Sequence, residues 1–208
     1  MGAQAARVLA LALDPAAPVP DDATAERVLD AALALAAASG LRHVTMDEVA
    51  VRAGVGRMTV YRRFASRQTL VDALAVRECR RCLARLADAV DPGAPVIERA
   101  ASLFAAVLEL CDEHPLLARL ARVEPDALLY ELTRDGSQVL GLIRDFLVGE
   151  IRVAQAAGEW PEADPAVLAE LGIRLGASFV LMPDTVLPRD GRAATEAAVR
   201  SLLAPLLD

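Results

Sequence analysis

Apolar residues recur along this chain at spacings of three and four, and no stretch shows the two-residue alternation of a half-buried strand. From Thr24 to Ser39 the stripe is Val28, Leu29, Ala32, Leu33, Leu35 and Ala36, and Gly40 ends it. A short helix is predicted after Thr45, because Thr45 and Glu48 have the spacing of a capping box. Val49, Ala50 and Ala53 form its apolar face, and Gly54 supplies a left-handed residue to end it. Beyond that turn Val55 is expected to face inward, and Val60 and Phe64 fall one helical turn apart on a buried side. Leu41 and Val44 in the connection between the first two helices complete the core of a three-helix unit. Ser66 caps a longer helix running to about Ala89, lined inside by Leu70, Leu74, Cys82, Leu83 and Leu86.

The run Asp91-Pro92-Gly93-Ala94-Pro95 breaks the pattern and marks a domain boundary. Helices are predicted beyond it at about 96–113, 115–123, 126–157 (loosened near 135–137), 165–182 and 192–207. The fold class is therefore all-α. The expected organisation is an N-terminal arm over 1–22, a helix-turn-helix domain with its connecting helix over 23–90, and a helical domain over 91–208. In the arm, the six apolar residues Val8–Leu13 are too few for a signal peptide or a membrane span, so a loosely helical or disordered segment is expected.

What changes this from a plain helical bundle is the outward face of the third helix. Arg57, Met58, Thr59, Tyr61, Arg62 and Arg63 point away from the core expected around Val60 and Phe64. Cations and polar groups on the second helix of such a pair suit phosphates and base edges. The alternative is a solvated charged face. Net charge is −7, which argues against a polyanion partner until it is located along the chain. Residues 23–90 hold eleven arginines against seven acidic residues, whereas residues 91–208 hold ten against nineteen. The basic segment thus belongs to the helix pair. Arg67, in the first turn of the connecting helix, opposes the helix dipole, and a phosphate brought there would resolve the conflict.

The run T-M-D-E-V-A-V-R-A-G-V-G-R-M-T-V-Y-R-R-F over Thr45–Phe64, followed by S-R-Q-T-L, resembles the TetR family of bacterial transcription regulators. The resemblance covers about residues 23–75. Gly56 stands where a serine cap is frequent in the family, and Met58 where a glycine or alanine is frequent. The family likeness implies a DNA-reading domain and a second domain that dimerises and holds an inducer, whose binding alters the separation of the two heads. Carried onto these positions, Thr45, Tyr61 and Arg67 would contact phosphates. Arg57, Met58, Thr59 and Arg62 would lie at or near the major-groove floor, and Arg63 would reach backbone or solvent. The implied partners are a palindromic double-stranded operator, a second copy of the chain and a small-molecule inducer; repression is the implied output.

The expected dimer surface lies on the last two long helices, through Leu168, Leu171, Leu175 and Phe179, with Gly172 and Gly176 allowing close approach, and through Leu202. The expected inducer pocket is lined by Phe104, Leu108, Cys111, Tyr130, Leu140, Ile143, Phe146 and Phe179, which suits a hydrophobic ligand. Arg144 would either orient a polar group of that ligand or pair with a neighbouring acid. His114 is expected to cap a helix, and His43 to be structural or solvated. No catalytic residues, cofactor or metal site are predicted: nucleotide, zinc-protease and nucleophile-elbow motifs are absent, and Cys79-x-x-Cys82 has no second ligand pair. Three cysteines without a secretory segment suggest a reducing cytoplasm, with no membrane partner. The rival class is a helical protein–protein interaction module.

Overall fold

The computed structural model describes residues 10–12, 14, 22–126, 129 and 137–207. Nine α-helices have their bounds within them: α1 (Ala23–Ser39), α2 (Met46–Ala53), α3 (Arg57–Arg63), α4 (Arg67–Asp88), α5 (Val96–Glu113), α6 (Pro115–Arg122), α7 (Ser137–Ala156), α8 (Pro165–Leu181) and α9 (Arg192–Leu207). Among the described residues there is no strand, and no helix is long and apolar enough to cross a membrane. Of the long helix expected over 126–157, Asp126 and Leu129 are described and helical, and a helix runs from Ser137 to Ala156.

The ends of these helices follow from named side chains. Asp22 Oδ1 accepts the Thr24 and Ala25 amides at 3.0 and 3.2 Å to start α1. Thr45 accepts the Glu48 amide at 3.3 Å and donates its hydroxyl to Glu48 Oε2 at 2.7 Å, so the capping box forms through side chains as well as backbone. Ser66 Oγ accepts the Thr69 amide at 3.1 Å at the start of α4. Gly54 ends α2 with φ 64° and ψ 38°, the left-handed conformation that costs a side-chain-bearing residue about 1–2 kcal/mol. Gly40 ends α1 at φ 90°, and a Cβ there would stand 2.7 Å from Glu124 Oε1.

One core binds α1–α3 and the first half of α4. Ala25, Val28, Leu29, Ala32, Ala36, Val44, Val49, Val60, Phe64, Leu70 and Leu74 are buried within it. Leu41, Val55 and Tyr61 are packed against its edge, as is Leu116 from α6. Cys82, Leu83 and Leu86, expected on the inner side of α4, are only half-buried. That part of α4 instead buries Val76, Arg77 and Glu78. In the C-terminal half α9 lies along α5 and α8 along α7, while α6 touches both α5 and α1. Arg119 of α6 fastens the last contact, donating to the Ala38 carbonyl at 2.9 Å at the end of α1 and to Glu124 at 2.8 Å. The described residues of the arm are docked on α4: Arg80 donates to the carbonyls of Leu11 at 3.1 Å and Asp14 at 2.7 Å.

Candidate nucleic-acid interface

α3 stands on the outside of the N-terminal unit because Val60 and Phe64 are wholly enclosed. With those two positions fixed inward, Arg57, Met58, Arg62 and Arg63 are exposed, and Thr59 and Tyr61 are half-buried. Met58, at 80% exposure, has no packing role that accounts for so large an apolar side chain on the surface. Thr45 is exposed at the start of α2, beside an open groove of about 590 Å³ lined by Arg42, His43, Thr45, Asp47, Tyr61 and Arg67. His43 is structural: its Nδ1 donates to the Ser39 carbonyl at 2.8 Å.

The arginines of this surface are not equivalent. Arg57 Nε lies 2.9 Å from Asp47 Oδ1, and its guanidinium carbon is 5.5 Å from the centre of the Tyr61 ring. The Tyr61 hydroxyl first, and Asp47 second, hold the Arg57 pKa above its ordinary value. Arg63 pairs with Asp22, the N-cap of α1, so it ties the end of α3 to the start of α1. Arg42, Asp22 and Asp47 were missed by sequence reasoning. The signal for Asp47 was present, because Arg57 is a cation in the first turn of a helix with no side-chain cap and no acid of its own.

Arg67 requires a correction. Its Nε donates to the Val44 carbonyl at 2.8 Å and its Nη2 to the Leu41 carbonyl at 2.6 Å. The conflict with the dipole of α4 is therefore relieved inside the protein by carbonyls of the α1–α2 connection, and no phosphate is needed for it. Arg67→Ala is expected to destabilise the chain by about 1–3 kcal/mol, because those carbonyls lose their donor. Urea unfolding checks this; a variant as stable as the parent would restore the phosphate-binding role expected from sequence.

Among the described residues, those expected to line an inducer pocket border neither the groove beside Thr45 nor the cavity described below. Leu108 is core, Leu140 and Cys111 are half-buried, and Ile143 and Phe146 are exposed. Phe104 and Phe179 meet edge to face with centroids 5.8 Å apart, filling the space between α5 and α8. Arg144 takes the second of its two expected roles and pairs with Glu170 at 2.9 Å. Tyr130 lies outside the described residues. A separate cavity of about 170 Å³ opens where the end of α4 meets α5 and α9, lined by Arg85, Leu86, Glu109 and Arg192, and shares none of the expected residues. The three cysteines are free thiols, and burial pushes Cys82 and Cys111 up to about 11. No group of three metal-ligating side chains occurs among the described residues.

The profile described as bacterial regulatory proteins of the tetR family matches residues 28–74, the stretch that builds this surface. Residues 28–74 thus carry the N-terminal domain of TetR-family regulators. An uncharacterized HTH-type transcriptional regulator of Mycobacterium tuberculosis is 36% identical over 98 residues, covering 45% of this chain and 46% of the relative. The HTH-type transcriptional repressor KstR2 of the same organism is 36% identical over 87 residues, covering 42% and 44%. The chain thus spans less than half the length of the curated relatives it matches. The solved structure of Salmonella enterica GusR superposes with a TM-score of 0.63 over 94% of this chain and 98% of that one, at 20% identity. The structure of the ketosteroid transcriptional regulator KstR2 of M. tuberculosis gives 0.53 over 91% and 97%, at 22%. At these identities the likeness to the TetR-type structures is one of fold.

Proposed function

We propose that this chain is a TetR-family DNA-binding transcriptional regulator that reads a palindromic operator as a homodimer and is released by a small hydrophobic ligand. The observation that carries the DNA reading is the exposed face of α3, with Arg57, Met58 and Arg62 held outward by the enclosed Val60 and Phe64. Thr59 and Tyr61 are proposed to add polar contacts from the same helix, and Thr45 a phosphate contact from α2. Arg63 and Arg67 already serve internal contacts and are assigned to supporting that face. The test is binding to random duplex DNA across a salt series. Affinity is expected to fall steeply with salt, because phosphate contacts release counterions. No binding at low ionic strength would favour the protein-interaction module instead.

The dimer reading rests on an exposed apolar stripe along α8. Val167, Leu171 and Leu175 are each more than half exposed and fall within one sector of the helix, and the equally exposed Met182 follows at its end. Ile143, Phe146 and Val153 extend it on α7, which packs beside α8. So large an apolar area suits an isologous contact with a second copy. Leu168 and Phe179, expected in that surface, are half-buried, and Phe179 is spent on Phe104. The α7–α8 pair therefore replaces the last two helices as the proposed interface, since α9 packs along α5 and, among its described large apolar side chains, leaves Leu202 exposed. Leu171→Asp with Leu175→Asp is expected to turn a dimer into a monomer in sedimentation while leaving the helical content unchanged. An unaltered dimer would move the interface elsewhere. The name of the ketosteroid regulator among the structural relatives agrees with a lipophilic ligand, and a lipophile panel that never raises the melting temperature would count against one.

A further inference from the structure

Arg57 is placed where a helix disfavours a cation, and the protein spends a second residue on keeping it there. It opens α3 behind Gly56, which offers no side-chain cap. Asp47 reaches it from the first turn of the neighbouring helix, with Oδ1 2.9 Å from Nε, and both side chains remain about 60% exposed, at 59% and 62%. Tyr61, one turn along α3, carries the guanidinium carbon 5.5 Å from its ring centre. Asp47 engages the side of the guanidinium. Among the described residues Asp47 is the one acid paired with Arg57, and the Tyr61 hydroxyl is its other polar neighbour.

This arrangement separates geometry from charge. A bare arginine binds any phosphate, because the charges attract wherever they meet. An arginine already neutralised by a carboxylate keeps its parallel N–H donors but loses that attraction, and the carboxylate beside it repels phosphate oxygens. What still suits the fork is a neutral edge with two acceptors, and the major-groove edge of guanine presents O6 and N7 in that spacing. We propose that Asp47 is a specificity-determining positioning residue, which holds Arg57 by Nε so that its terminal fork reads a guanine in each half-site. This inference rests on the DNA-binding reading.

The test is selection of bound duplexes from a random pool by the full chain and its variants, with helix content checked for each. The parent is expected to enrich a motif with a guanine in each half-site. Arg57→Ala is expected to erase preference at that position alone. Asp47→Ala is expected to weaken preference at the same position about tenfold and to raise affinity for random duplex several-fold, with a salt dependence steeper by about one counterion. Asp47→Glu keeps a carboxylate and is expected to retain the guanine. Unchanged preference in Asp47→Ala at the position that Arg57→Ala erases, or a base other than guanine there, would overturn the inference while leaving DNA binding intact. A parent that binds no duplex would overturn the DNA-binding reading, and this inference with it.

Discussion

Phe64→Ala is expected to lower the stability of the N-terminal unit by about 3–5 kcal/mol, the range for emptying an aromatic site in a closed core. Phe64 is the largest of the fully buried side chains and is enclosed with Val28, Leu29, Val49, Val60, Leu70 and Leu74. It also ends α3, its amide donating to the Val60 carbonyl at 2.8 Å, so the ring fixes where the exposed face of that helix stands. A loss of this size is a large share of the roughly 5–15 kcal/mol that holds a typical domain together. Urea unfolding should show it directly, and duplex binding should be lost at temperatures where the parent still binds. Met58→Ala is the matched comparison, an apolar truncation six residues earlier at a site that is 80% exposed. Its stability should stay within about 0.5 kcal/mol of the parent, so any effect it has on duplex affinity reports contact with DNA. A cost below about 1 kcal/mol at Phe64 would mean that neighbouring side chains collapse into its site, contrary to a closed core.

The division between Phe64 and Met58 was legible from spacing alone, because helical period and a glycine turn determine which residues can share a core. The caps Thr45, Ser66 and His114 were legible for the same reason, since each acts on a backbone amide three positions away, whereas Asp22 was not foreseen. Contacts across the fold were not. Asp22 and Arg63 are 41 residues apart, and Arg67 meets the Leu41 carbonyl across 26. No local pattern in the sequence encodes such pairings, so cations that look free for phosphate turn out to be occupied. The same limit applies to the C-terminal half. A stripe on α8 was visible, but whether Leu168 or Val167 faces out depends on how α8 is rotated against α7, which alanine- and leucine-rich helices leave undetermined. The resemblance to TetR regulators was carried entirely by the first 75 residues, where motif and geometry constrain each other.

Glu78→Gln is expected to cost roughly 3 kcal/mol, the lower end of the range for breaking a buried ion pair by removing one partner. Glu78 is 6% exposed; its Oε1 accepts from Arg77 Nε at 2.8 Å, and its Oε2 accepts from His114 Nε2 at 3.1 Å. His114 Nδ1 accepts the Leu117 amide at 3.4 Å as the cap of α6, which places the ring proton on Nε2, facing the carboxylate. Arg77 in turn reaches Glu26 and Asp30 of α1 at 3.0 and 2.9 Å. One chain of charges therefore joins α1, α4 and the start of α6, and Glu78 is its middle member. A glutamine there keeps the volume, removes the charge from a buried arginine, and turns an amide N–H₂ toward one of two donors. The cost is held to the lower end because Arg77 retains two carboxylates. Arg81→Ala removes a half-exposed member of the same cluster and should cost under about 1 kcal/mol. Acidity provides an independent check. Burial alone would raise the Glu78 pKa, but the His114 hydrogen bond and the Arg77 charge outweigh it and hold it below the usual range. A carboxyl depressed in the folded state stabilises above its unfolded value, about 4.3, and loses that contribution as pH falls through the folded value. The stability gap between parent and Glu78→Gln should thus be widest near neutrality and shrink on acidification below the ordinary glutamate range. Paired urea midpoints at neutral and acid pH measure it, and a gap that holds constant across that range would mean the charge of Glu78 is not what joins the two halves of the chain.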